Sequence, residues 1–95
     1  MDKLKLQFSD EVIRNLTEIT EFYEERQEGL GKRFAKYIEK HLLLLEEQPN
    51  IGRIGKVFGT REMVLTDFPY MIVYRVRKSY VQLLLIYHQA RKYPN

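Results

Sequence analysis

Tyr70-Met71-Ile72-Val73-Tyr74-Arg75-Val76-Arg77, Lys78-Ser79 and Tyr80-Val81-Gln82-Leu83-Leu84-Leu85-Ile86-Tyr87 together form the stretch whose reading decides the fold. Both long runs are rich in β-branched and aromatic residues and read as strands. The two residues between them leave room for a tight hairpin only, which favours antiparallel pairing. Alternation puts Tyr70, Ile72, Tyr74 and Val76 on one side of the first strand, with Met71, Val73, Arg75 and Arg77 on the other. In the second strand Val81, Leu83, Leu85 and Tyr87 oppose Gln82, Leu84, Ile86 and His88. Arg75 and Arg77 belong away from the core or at its rim.

Working outward, Arg61–Thr66 reads as a third strand, turned into the next by Asp67-Phe68-Pro69, and Pro49–Gly55 reads as a loop with two glycines and a proline. Upstream the period changes. Phe34, Ile38, His41, Leu42 and Leu45 lie on one helical stripe that ends before Pro49. Val12, Ile13, Leu16, Ile19, Phe22 and Tyr23 follow the same spacing, capped by Ser9 and closed near Gln27, Gly29 and Gly31. Leu4, Leu6 and Phe8 alternate with Lys3, Lys5 and Gln7 as a short first strand. The order is therefore β-α-α-β-β-β. This is an α+β chain, a single domain over residues 1–95, with an antiparallel sheet covered on one face by a helical hairpin. The other sheet face is left free and should carry the basic residues.

Composition narrows the function. With 95 residues, 44% hydrophobic and 31% charged, the chain suits one globular core and is too short for two. It has no cysteine, which excludes disulfides, thiol nucleophiles and cysteine-ligated metals. No apolar run approaches the roughly 20 residues of a membrane span, and the first residues lack the apolar segment of a secretory signal, so a cytoplasmic location is expected. Residues 1–48 hold eight Lys and Arg against eleven Asp and Glu, a net of −3; residues 49–95 hold eight against two, a net of +6. Such asymmetry points to one face meeting an anionic partner, unless helical surfaces simply collect Glu and leave the strands basic by subtraction.

The chemistry available is that of Arg, Lys, His and Tyr. Two histidines far apart, without cysteine or a paired-carboxylate motif, argue against a metal, and no glycine-rich phosphate loop implies a cofactor. His41 reads most simply as a partly buried helix residue. His88, ending the last strand near Arg91 and Tyr93, is the better functional candidate, against a structural hydrogen bond in the loop. Arg53, Lys56, Arg61, Arg75, Arg77, Arg91 and Lys92 are positioned to form one basic surface, with Tyr70, Tyr87 and Tyr93 as candidates to stack on unpaired bases. That inventory suits RNA cleavage by the neighbouring 2′-hydroxyl, which needs a base, an acid and cationic stabilisation of the phosphate.

Gly52-Arg53, Gly59-Thr60-Arg61-Glu62, Pro69-Tyr70-Met71-Ile72-Val73-Tyr74-Arg75-Val76 and His88-Gln89-Ala90-Arg91-Lys92-Tyr93-Pro94, in that order, resemble the RelE/ParE toxin superfamily. The resemblance covers nearly the whole chain. It implies the toxin half of a type II toxin–antitoxin module, silenced by a cognate antitoxin. RelE-type members cut mRNA in the ribosomal A site; on that pattern Arg91, Arg61, His88 and Tyr93 would be catalytic, with Arg53, Lys56, Arg75, Arg77 and Lys92 binding substrate. The arginine expected near the end of the first C-terminal strand is replaced here by Thr66, with Arg61 earlier in the strand. ParE-type members resemble the same scaffold without the nuclease residues and poison DNA gyrase. The basic C-terminal half tips the expectation toward the nuclease, with the gyrase inhibitor as the alternative and a non-toxic RNA-binding module as a third reading.

Overall fold

Ser9 is the single residue between a strand and a helix. In the computed structural model, which describes residues 3–90, β1 (Lys5–Phe8) leads through Ser9 into α1 (Asp10–Arg26). The Ser9 backbone is extended and its hydroxyl accepts the Val12 N–H at 3.0 Å, while Asp10 and Glu11 sit in the first turn where carboxylates suit the helix dipole. Helix α2 (Leu30–Glu47) follows Gly29, whose φ of 85° lies in the left-handed region. Gly29 has no side chain to cap with. Instead Glu24 reaches over from α1 and accepts the Gly29 and Gly31 N–H groups at 2.9 and 3.0 Å. A Cβ at Gly31 would stand 2.6 Å from the Thr20 carbonyl oxygen, so glycine is what lets the two helices approach there.

The remaining strands are β2 (Arg53–Ile54), β3 (Arg61–Val64), β4 (Tyr70–Val76) and β5 (Tyr80–His88), in a five-stranded sheet of order β1-β5-β4-β3-β2. The fold is α+β in the expected element order, with two differences. The sheet is mixed, because β1 runs parallel to β5 with Lys5 beside Tyr80 and Phe8 beside Leu83. A tight turn forces antiparallel pairing between consecutive strands only; β1 reaches the sheet through two helices and is free of that constraint. The segment read as a loop also contributes β2, which pairs with β3 at Arg53–Glu62 and Ile54–Arg61.

The helices cover the face bearing Tyr70, Ile72, Tyr74 and Val76, where Val12, Ile19, Phe34, Ile38 and Leu45 meet Met63, Leu65, Val81, Leu83 and Ile86. Each such side chain contributes about 1.5–3 kcal/mol on burial. Tyr23, Phe34, Phe68 and Tyr70 add edge-on ring contacts at the end of this core. The simple alternation expected for β5 holds only to Leu83. Val73 pairs with Leu85 and Tyr74 with Leu83, so Leu84 is an extra residue, a bulge. Past it the parity reverses: Ile86 enters the core, while Leu84, Leu85 and Tyr87 join Met71 and Val73 on the far face. The Ser9 hydroxyl donates to the Leu84 carbonyl at 3.0 Å, and the Asn15 amide oxygen accepts the Ile86 N–H at 3.0 Å. Among the described residues β1 pairs with β5 no further than Leu83, and α1 side chains serve the edge from there on.

Candidate functional site

Two surfaces carry the candidate residues, at opposite edges of the sheet. The first is an open groove of about 860 Å³ between α1 and the end of β5, lined among others by Glu11, Asn15, Glu18, Phe22, Tyr70 and His88. His88 lies opposite Tyr70, with ring centroids 5.2 Å apart, and its Nδ1 accepts the Ala90 N–H at 3.0 Å. That bond places the ring in a local loop contact. Tyr70 and Tyr87 are both buried, so neither is available to stack on a base.

The second surface is the β2–β3 hairpin with the sheet face away from the helices. Glu62 is 2% exposed, yet it sits on this outer face beside Val73. Its carboxylate accepts from Arg53 Nε and from the Lys56 backbone N–H, with Arg53 Nη2 at 3.2 Å. A buried carboxylate needs such partners, and here they tie the hairpin loop onto the sheet. Arg75 extends from the same face; its Nε is the nearest atom a Cβ at Gly59 would meet, at 3.8 Å. No ion-pair partner of Arg75 or Arg77 occurs among the described residues.

Arg61 goes elsewhere. It pairs across from Tyr74 on the helix-covered face, and its Nη1 donates to the Gly52 and Asn50 carbonyls at 2.7 and 3.2 Å. The Gly52 N–H in turn donates to the Tyr74 hydroxyl at 2.8 Å. Tyr74 is fully buried, which pushes its pKa above 10; the Gly52 N–H and the Arg61 charge pull the other way and do not prevail. Thr66, at the expected arginine position, is exposed, and its N–H donates to the Tyr37 hydroxyl at 3.0 Å. His41 bonds the Tyr37 carbonyl through Nδ1 within α2.

The structure thus brings Arg53, Lys56 and Arg75 to one region and leaves Arg61 and His88 out of it. Arg61 lies opposite Tyr74 and His88 opposite Tyr70, four residues apart on β4 and two strands apart. That is about 13 Å along the strands and about 10 Å across them. Arg91, Lys92 and Tyr93 fall outside the described residues. No group of three His, Asp or Glu that would hold a metal occurs among the described residues, and no helix is long and apolar enough to cross a membrane. Sequence reasoning missed Asn15, which had no local signal, and Phe58, which had one: an apolar pair, Val57-Phe58, inside a glycine-flanked loop.

A mixed five-stranded sheet with a helical hairpin on one face and a basic hairpin at one edge defines a small α+β protein with a charged, loop-borne surface. The family model for the ParE toxin of the type II toxin–antitoxin system parDE matches residues 6–93, and the chain belongs to that family. It is 31% identical over 94 residues to "Putative toxin Y4kP" of Sinorhizobium fredii, covering 99% of this chain and 97% of that protein. A chain of the chromosomal ParDE toxin–antitoxin system from P. aeruginosa shares the fold, with a TM-score of 0.80 and 22% identity over 90% of this chain and 96% of that one. Membership of a type II toxin–antitoxin family supports a cognate antitoxin as partner. The match falls on the ParE branch, and the expected lean toward mRNA cleavage finds no support in it.

Proposed function

We propose that this toxin inhibits growth by poisoning DNA gyrase in the cytoplasm, and that a cognate antitoxin holds it silent. One observation carries the reading over the nuclease. Arg61 and His88, two of the four residues expected to share an RNA-cleaving site with Arg91 and Tyr93, lie about 13 Å apart along the sheet, each engaged in a local hydrogen bond. General acid–base work requires groups within hydrogen-bond reach of one reacting atom. A protein poison has no such requirement. The ParE family match agrees.

The α1–β5 groove suits the antitoxin. It is an open trough that mixes apolar residues such as Ile19, Phe22 and Leu85 with the polar Glu11, Asn15 and Glu18, and among the described residues no strand covers it past Leu83, an arrangement that suits an amphipathic segment. The decisive experiment pairs two assays on the purified toxin: gyrase supercoiling of plasmid DNA and cleavage of transcripts in a translating extract. Inhibited supercoiling with intact transcripts is expected. Cut transcripts with normal supercoiling would overturn the reading and return Arg91, Lys92 and Tyr93 to the centre of the argument.

A further inference from the structure

We infer that the β2–β3 hairpin, residues 53–60, is the surface with which this toxin grips a protein target, at an apolar site rimmed by carboxylates. The inference rests on the toxin reading and borrows from the gyrase proposal only the target's identity. Phe58 is 97% exposed, Ile54 75% and Val57 45%, all within eight residues of one loop. The loop is built rather than slack. Gly55 N–H donates to the Thr60 carbonyl at 2.8 Å, and Thr60 donates to the Val57 carbonyl from its N–H at 3.1 Å and its hydroxyl at 2.6 Å. Glu62 adds a clamp from below through the Lys56 N–H and Arg53.

Holding a near-fully exposed phenyl ring on so fixed a loop adds nothing to the core. It does pre-organise an anchor, since an ordered loop loses little entropy when it docks. Aromatic anchors beside arginine are the side chains that dominate protein interfaces. Charge selects the partner: from Gly52 to Thr66 the lone acid is Glu62, buried against Arg53, while Arg53, Lys56 and Arg61 are cations and Arg75 lies behind Gly59, so the region is net positive. Nucleic acid is the poorer match, because the aliphatic Ile54 and Val57 neither stack on bases nor bond phosphates. The hairpin lies at the β2 edge and the groove at the β5 side, so target and antitoxin would engage different edges.

The test uses Phe58→Ala and Arg75→Glu in the whole toxin. It reads growth arrest in cells lacking antitoxin, and affinity for purified gyrase subunits, for the antitoxin and for a DNA duplex. Phe58→Ala is expected to keep its melting temperature and antitoxin affinity, to bind gyrase about 30-fold more weakly, and to lose growth arrest. Arg75→Glu should weaken gyrase binding too, and unchanged or tighter binding would overturn the acidic rim. Full arrest by Phe58→Ala would overturn the inference. So would lost antitoxin affinity with arrest intact, or lost DNA affinity with gyrase affinity unchanged. If the wild-type toxin ignores gyrase while Phe58→Ala still abolishes arrest, the gyrase reading falls and the hairpin stands.

Discussion

At the scale of single residues, Tyr74 and Glu62 are the polar groups whose burial has measurable consequences. Burial raises the Tyr74 pKa above its ordinary 10, so the folded protein keeps the phenol neutral where the unfolded chain would ionise it. The contribution to stability is therefore complete below pH 10 and declines as pH rises through the folded value. An absorbance titration should show Tyr74 ionising late, together with unfolding. Tyr74→Phe should flatten that alkaline decline but leave the Gly52 N–H without its acceptor, for a loss of about 1–3 kcal/mol at neutral pH by urea unfolding. Glu62→Gln keeps an acceptor for Lys56 N–H and loses the charge facing Arg53, so it should cost about 1–2 kcal/mol with growth arrest retained. Lost toxicity at an unchanged melting temperature would contradict that role.

At the scale of elements, α2 begins on a glycine and borrows its cap from α1. Glu24→Ala removes acceptors for two N–H groups and should cost about 1 kcal/mol, or roughly 4–8 °C in melting temperature by calorimetry. A melting point unmoved by that change would show that the cap is redundant. Both helices and four of the five strands were legible because their signals are local: the Ser9 cap, the spacing of Phe34, Ile38 and Leu45, and the alternation in Tyr70–Val76. The parallel seat of β1, the two-residue β2 and the Leu84 bulge were not, since each depends on a partner strand distant in sequence. The candidate site suffered most from this. Cations can be counted from the sequence, but Arg61 and Arg75 part company only once the register assigns each to a face.

At the scale of the whole molecule, the chain closes on itself: its first strand lies against its last, and the Leu4 N–H donates to the Glu46 carbonyl at 3.2 Å. Deleting residues 1–8 should bare the outer edge of β5 from Tyr80 onward and remove Leu4 and Leu6 from the core. The expected result is a melting temperature lower by about 10 °C or more, with aggregation visible by light scattering, because an unpaired edge recruits other edges. A truncated chain that stayed monomeric at full stability would mean that β1 is dispensable.

The extra residue at Leu84 divides β5 into two reading frames. Before it, the strand speaks to β1; after it, the same strand speaks to α1 and the groove. Deleting that one residue would close β5 into an unbroken ladder in which Leu85 still meets Val73 and Ile86 still meets Ile72, each on its present face. One residue inserted between Leu85 and Ile86 would do the opposite: Ile86 and His88 would turn outward, Tyr87 would swing toward the helices, and the groove wall would be rebuilt from its opposite side. The number of residues in this half of the strand, and not their identity alone, thus decides which side chains the groove presents.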